Sequence, residues 1–209
     1  MICSTDKAGI ERAVAALRAG QIVAVPTDTV YGLVASFDSP AAIEEIFRVK
    51  GRSHDIALPV LCASAAEAHE LGRINGQAAR LADEHWPGAL TLVVERRPGL
   101  TADLGGEPSS IGLRVPDHHA LLAIAQQVGP LASSSANRHG EPPVTTSEEA
   151  LGTFGDDVPL VLTPIQPELT EAGAPRQAST VLRADTEGNI VEVLRAGDID
   201  AGHIQVEGR

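Results

Sequence analysis

Apolar positions along this chain follow two periods. Between residues 7 and 19, Ile10, Val14 and Leu17 fall at i, i+4 and i+7. That spacing predicts a helix with one apolar face, stopped by Gly20. QIVAVP, residues 21–26, is a short apolar run closed by Pro26 and predicts a buried strand. Ser39-Pro40 reads as an N-cap followed by proline at the first helical position. The helix after it turns Ile43, Ile46 and Phe47 inward and ends near Gly51. ALPVLC, residues 57–62, predicts a strand, and Pro59 inside it points to an edge or an irregular ladder. Ser64 and Glu67 have the spacing of a capping box. A further helix spans residues 75–85 and stops at Pro87-Gly88.

The second half reads in the same way. Strands are predicted over 89–95, over 110–116 with Pro116 as the stop, from 130 onward, and over 158–163. Residues 178–184 and 190–197 form two more, joined by a glycine-containing hairpin turn from Asp185 to Asn189. Asp117 is placed to cap a helix that runs to about Val128, and a short helix starts at Ser147. Residues 98–110 and 138–146 read as loops. The Pro/Gly-rich stretch 164–177 reads as a mobile segment and a candidate lid. No repeat and no clear linker divides the chain. The expectation is one α/β domain over 1–209, its core about 8–200, with a mixed parallel and antiparallel sheet and flanking helices.

Composition narrows what such a domain does. With 43% hydrophobic and 21% charged residues, the 209-residue chain can bury a core. Sixteen basic against 28 acidic residues leave a net charge of −12. That balance argues against broad nucleic-acid binding, though not against a local anion site. Cys3 and Cys62 are far apart, and the seven histidines show no metal-ligand spacing. No metal site built from protein side chains is expected. His118-His119, at a helix start, is expected to face solvent. No basic segment followed by an apolar run opens the chain, and no window nears 18 apolar residues, so a cytoplasmic protein without a membrane span is expected. Walker, GxGxxG, GxSxG and HExxH motifs are missing, and no organic prosthetic group is expected.

Five short constellations carry candidate chemistry. In PTDTVYGL, an extended backbone would put Thr27, Thr29 and Tyr31 on one face; a loop with Asp28 in a local turn bond is the alternative. RVKGRS places Lys50 and Arg52 two apart, either as a clamp for one phosphate or carboxylate, or as cations favoured at a helix C-terminus. Lysine occurs only at 7 and 50 in a chain that otherwise writes arginine, so Lys50 stands out. Arg114 lies inside the apolar strand SIGLRVP and must be paired or face a site. SSSAN, residues 133–137, follows a strand, as a ligand loop or as a plain turn. Arg195 ends a strand just before Ala196-Gly197 and reads alone as a surface charge.

In order and spacing, PTDTVYGL, KGR, HWPGALTLVV, IGLRVPDH, GPLASSSANRHGEPP, STV and VLRAG resemble the YrdC-like threonylcarbamoyl-AMP synthase family, short single-domain type. The resemblance runs from about residue 8 to 200. It implies a twisted mixed sheet around a large concave cavity. It implies synthesis of threonylcarbamoyl-AMP and pyrophosphate from L-threonine, bicarbonate or CO2, and ATP with Mg2+. The product would serve the t6A modification, next to the anticodon of tRNAs reading ANN codons, through a downstream threonylcarbamoyl-transferase complex. Binding of tRNA itself is expected to be weak at most.

The same resemblance implies residue roles. Lys50 and Arg52 would act in catalysis and hold ATP phosphates. Thr27, Thr29, Tyr31, Leu58, Arg114, Ser133 and Ser179 would form the L-threonine site, with Arg114 on the carboxylate. His54, Ser110, Ser135, Asn137, Pro143 and Arg195 would contact the nucleotide. KGRSHDIALPVL lacks two prolines common in the family, at Ser53 and Ala57, so a less rigid loop is expected there. A diverged carbamoyl-transfer enzyme and an RNA-binding module of this fold are the alternatives. Only five aromatic residues speak against the latter.

Overall fold

The computed structural model describes residues 1–138, 140–165 and 177–207. Its strands are β1 (Ile2–Ser4), β2 (Val23–Val25), β3 (Gly32–Ser36), β4 (Val60–Leu61), β5 (Leu90–Glu95), β6 (Ser110–Arg114), β7 (Leu131–Ser135), β8 (Leu160–Thr163), β9 (Thr180–Ala184) and β10 (Ile190–Arg195). Its helices are α1 (Lys7–Arg18), α2 (Pro40–Lys50), α3 (Ala65–Leu71), α4 (Gly76–His85), α5 (His119–Val128) and α6 (Ser147–Phe154). The strands form one sheet in the order β1-β8-β2-β3-β7-β4-β6-β5-β9-β10. Parallel pairs (β1 with β8, β2 with β8, β4 with β6, β5 with β9) occur beside antiparallel ones, so the sheet is mixed.

Two apolar layers sandwich the sheet. On one face α1 and α5 lay Ile10, Val14, Leu17, Leu121 and Ile124 against Val23, Val25 and Leu162. The other face packs Ile43, Ile46 and Phe47 of α2 against Ala24, Leu33, Val60 and Leu113. Strand β2 therefore sends Val23 and Val25 one way and Ala24 the other. Burial on both faces explains why its sequence is a continuous apolar run and not an alternation.

Helix α2 forms where its signals place it. Ser39 Oγ accepts from Ala42 N at 3.4 Å, Pro40 opens the first turn, and Gly51 closes the helix at φ +60°. Other expectations change. Strands β1 and β3 had no separate signal. The strand expected over 57–62 shrinks to Val60–Leu61 and lies inside the sheet, between β7 and β6, not at an edge. Pro59 precedes it and lacks only a donor; its carbonyl accepts from Ser133 N at 2.8 Å and Ser133 Oγ at 3.1 Å.

Helix α5 is capped by His118, not Asp117, because the His118 ring nitrogen Nδ1 accepts from Leu121 N at 3.4 Å. His118 is consequently buried, against the expected exposure, while His119 is exposed. Ser64 accepts from Glu67 N, but the Glu67 carboxylate takes Ala63 N, one residue before the position a capping box requires. The complete box belongs to α6, between Thr146 and Glu149. Within the candidate lid 164–177, residues 166–176 lie outside the described residues. Among the described residues, no helix is long and apolar enough to cross a membrane.

Candidate active site

Several strand ends converge on one hollow. The turn after β2, the ends of β6 and β7, the start of β9 and the end of β10 all reach it. Its cavity of about 120 Å³ is bordered by Thr27, Thr29, Tyr31, Arg52, Arg114, Ser133, Ser135, Ser179 and Arg195, all singled out from the sequence.

A turn, not an extended strand, brings the two threonines together. Thr27 Oγ1 lies 3.0 Å from Thr29 Oγ1, accepts from Thr29 N at 3.0 Å and donates to Val30 O at 2.7 Å. Tyr31 borders the hollow, but its hydroxyl points elsewhere and donates to Leu162 O at 3.1 Å. Three hydroxyls on one face thus become two, with the tyrosine ring as wall.

Arg114 is buried at the rim. Its Nε donates to Gly88 O at 2.9 Å, one terminal nitrogen to Thr29 Oγ1 at 3.1 Å, and the other to Asp28 Oδ1 at 2.6 Å. Asp28 is therefore no mere turn residue. It pairs with Arg114 at side-chain exposures of 13% and 7%. A guanidinium has five N–H groups, so two remain for a carboxylate. Opposite, Ser179 Oγ lies 2.8 Å from Thr91 Oγ1 and accepts from Arg195 at 3.0 Å, while Arg195 Nε donates to Ser179 O at 2.9 Å.

The remaining cations complete a row. Lys50 Nζ donates to the carbonyls of Ser135 and Asn137 and so fastens the loop after β7 to the end of α2. Burial and the nearby Arg52 guanidinium push the Lys50 ammonium down to about 8. Burial and Arg195 lower Arg52; burial and Arg114 lower Arg195. Four positive groups thus repel one another around a polar hollow, with Asp28 on one of them. Such a row stores attraction for a polyanion.

Other expected residues stand off from the cavity. His54 is exposed, stacks on Phe47 at 4.0 Å and pairs with Glu44 at 3.2 Å. Leu58 is fully buried and meets Leu104 through its amide. Ser110 begins β6, at the opposite end of the strand from Arg114, and donates to Glu107 O at 3.2 Å. Pro143 is exposed in the loop before α6. Asn137 donates to Arg138 O and Glu141 O, and its Oδ1 is buried without a hydrogen-bond partner. Thr91, which borders the hollow, and Asp28, which pairs with Arg114 behind it, had no functional reading in the sequence. Thr91 did carry a signal: it is the lone hydroxyl in ALTLVVE, on the face opposite Leu90 and Leu92. Among the described residues, no group of three or more His, Cys, Asp and Glu could hold a metal.

The Sua5_yciO_yrdC family model, described as "Telomere recombination", matches residues 15–197. The chain belongs to this family. It is 37% identical over 197 residues to a Mycobacterium tuberculosis protein named "Putative threonylcarbamoyl-AMP synthase", covering 94% of this chain and 87% of that one. To the Mus musculus threonylcarbamoyl-AMP synthase it is 40% identical over 141 residues, 67% of this chain and 50% of the mouse protein. The crystal structure of P. abyssi Sua5 complexed with L-threonine superposes at TM-score 0.83 and 29% identity, over 94% of this chain and 57% of that one. Against these Sua5 and mouse relatives the chain spans only half or slightly more of their length. The matched span 15–197 includes every segment that borders the hollow.

Proposed function

We propose that this chain is a threonylcarbamoyl-AMP synthase, acting in the cytoplasm on L-threonine, bicarbonate and ATP. The observation that carries the reading is the row Lys50, Arg52, Arg195 and Arg114 beside a hydroxyl-lined hollow. At about 120 Å³ the hollow is smaller than the roughly 300–1,000 Å³ of most ligand pockets, and suits an amino acid better than a nucleotide. In this reading threonine enters it. Arg114 and Thr29 meet its carboxylate, and Thr27, Ser133 and Ser179 surround its amine and hydroxyl. The triphosphate lies outside, along Lys50, Arg52 and Arg195, with Ser135 and Asn137 toward the nucleoside.

The chemistry needs no nucleophilic side chain. The neutral threonine amine attacks bicarbonate, forming the N–C bond of a carbamate and releasing water. A carbamate oxygen then attacks the α-phosphorus of ATP. The bond from that phosphorus to the bridging oxygen breaks, pyrophosphate leaves, and threonylcarbamoyl-AMP remains. Negative charge is spread over the oxygens around that phosphorus and grows on the leaving pyrophosphate oxygen, where fixed cations count most. Mg2+ arrives with ATP as part of that substrate. Holding amine, carbonate and phosphate in line supplies the rest of the acceleration. The product passes to a threonylcarbamoyl-transferase complex for t6A formation.

Pyrophosphate release from MgATP, with and without L-threonine and bicarbonate, tests the reading. Release that requires both, with threonylcarbamoyl-AMP detected by mass, is expected. Release indifferent to threonine overturns it.

A further inference from the structure

Arg52 is gripped by the backbone that follows it. Its Nε donates to Ile56 O at 3.0 Å and a terminal nitrogen to Ala57 O at 2.9 Å. Residues 53–57 are exposed and contain no proline; within them Ile56 N donates to Ser53 O at 3.2 Å and Asp55 N to Ser53 Oγ at 3.2 Å, which shapes one turn but does not tie the stretch to the body of the protein. Its place against the fold is set from outside. Leu58 N donates to Leu104 O at 2.8 Å, and Gly106 N donates to His54 O at 2.6 Å. Both ends of the stretch are thereby tied to one turn.

That turn is built on two glycines. Gly105 sits at φ +71° and Gly106 at φ +66°. Asp103 Oδ1 accepts from Gly105 N at 3.0 Å and shapes the entry. A Cβ on Gly105 would stand 2.6 Å from His54 O and 2.9 Å from Phe47. On Gly106 it would stand 2.8 Å from Ala57 Cβ and 3.1 Å from Ala57 N. Close approach and left-handed backbone both demand glycine here.

We infer that the Gly105-Gly106 turn is a positioning element for Arg52: it clamps residues 54–58, whose carbonyls aim the guanidinium at the nucleotide phosphates. The inference rests on the assignment of Arg52 to ATP made above.

The test is calorimetric binding of a non-hydrolysable ATP analogue and of L-threonine, beside steady-state pyrophosphate release. Gly106→Ala should weaken the nucleotide by about tenfold and leave threonine within about twofold. Gly99→Ala is the control. Gly99 lies in the same loop at φ +89°, and a Cβ there meets nothing within 4 Å. It takes similar backbone strain and should leave both affinities near wild type. In an Arg52→Ala background, Gly106→Ala should add less than about twofold, since both act through one group. Asp103→Ala, an exposed and milder change, should weaken the nucleotide by about threefold, and it decides the question if Gly106→Ala does not fold. Unchanged nucleotide affinity, equal loss of both ligands, or full additivity with Arg52→Ala overturns the inference. Nucleotide binding without threonine-dependent turnover in the wild type sinks the proposed reaction and leaves the clamp to be judged by binding alone.

Discussion

Burial holds the Lys50 ammonium, ordinarily near 10.5, down to about 8, with Arg52 as the second cause. The difference is on the order of 3 kcal/mol between the two protonation states. Between about 8 and 10.5 the unfolded chain binds the proton that the folded one has released, so stability without ligand rises with pH across that window. Below about 8 both states are charged and the burial penalty is present in full. A bound triphosphate reverses the balance, because anions beside Lys50 favour its charged form. ATP binding near pH 8 should therefore take up protons, read by calorimetry in buffers of different ionisation enthalpy. The KM for ATP should climb as pH passes upward through 8. Lys50→Ala should abolish the uptake and most of the rate; uptake that persists in that variant removes Lys50 from the phosphates.

Asp28 is a second test at this scale. It and Arg114 form a buried ion pair at 2.6 Å. Removing one partner of such a pair leaves a buried charge uncompensated, at a cost of about 3 kcal/mol. For a chain of this size that is a fall in Tm of roughly 6–12 °C. Differential scanning calorimetry of Asp28→Ala checks it, and a fall under roughly 2 °C would show that Thr29 and Gly88 alone satisfy Arg114.

Elements were legible where local signals and packing agree. In α2 the cap, the proline, the apolar spacing and the terminal glycine all favour one helix, so its limits follow from short-range rules. Ser39→Ala should cost about 1 kcal/mol of the cap. Tm should fall by roughly 2–4 °C with both KM values unchanged. A changed KM for ATP would mean that the start of α2 governs how its end presents Lys50. Legibility fails where partners are distant in sequence. The two-residue strand β4 exists because β6 and β7 flank it, which residues 57–62 do not encode alone. Thr27 and Thr29 do meet, but through a turn, because Thr27 bonds Val30 O. Asp28 and Thr91 escaped for the same reason: their partners, Arg114 and Ser179, are 86 and 88 residues away. The roles of Ser110, His54 and Pro143 came from resemblance, and these residues do not border the cavity.

Taken whole, the molecule sets three arginines at the hollow, and Lys50 beside one of them, inside a chain of net charge −12. The two charges act over different distances. Beyond the screening length of about 8 Å at physiological salt, a phosphate meets a surface dominated by carboxylates. Arg114 at the hollow and Lys50 behind Arg52 are buried, so their fields are screened far less. A small polyanion such as ATP can thread three phosphates among these cations. A tRNA spreads its backbone phosphates over an extended surface and would need a basic stripe to match them, which 16 basic against 28 acidic residues disfavour. The protein should thus discriminate free nucleotide from nucleic acid by size, despite their common phosphate chemistry. At 150 mM salt, tRNA should bind no more tightly than the roughly 10⁻⁴–10⁻⁶ M of nonspecific association. Added tRNA should also leave the rate of pyrophosphate release unchanged. Fluorescence anisotropy with labelled tRNA, beside the release assay, checks both. Binding tighter than about 0.1 µM with a steep salt dependence would mean that an extended basic surface forms in solution, and that the adenylate is handed on with its tRNA already in place.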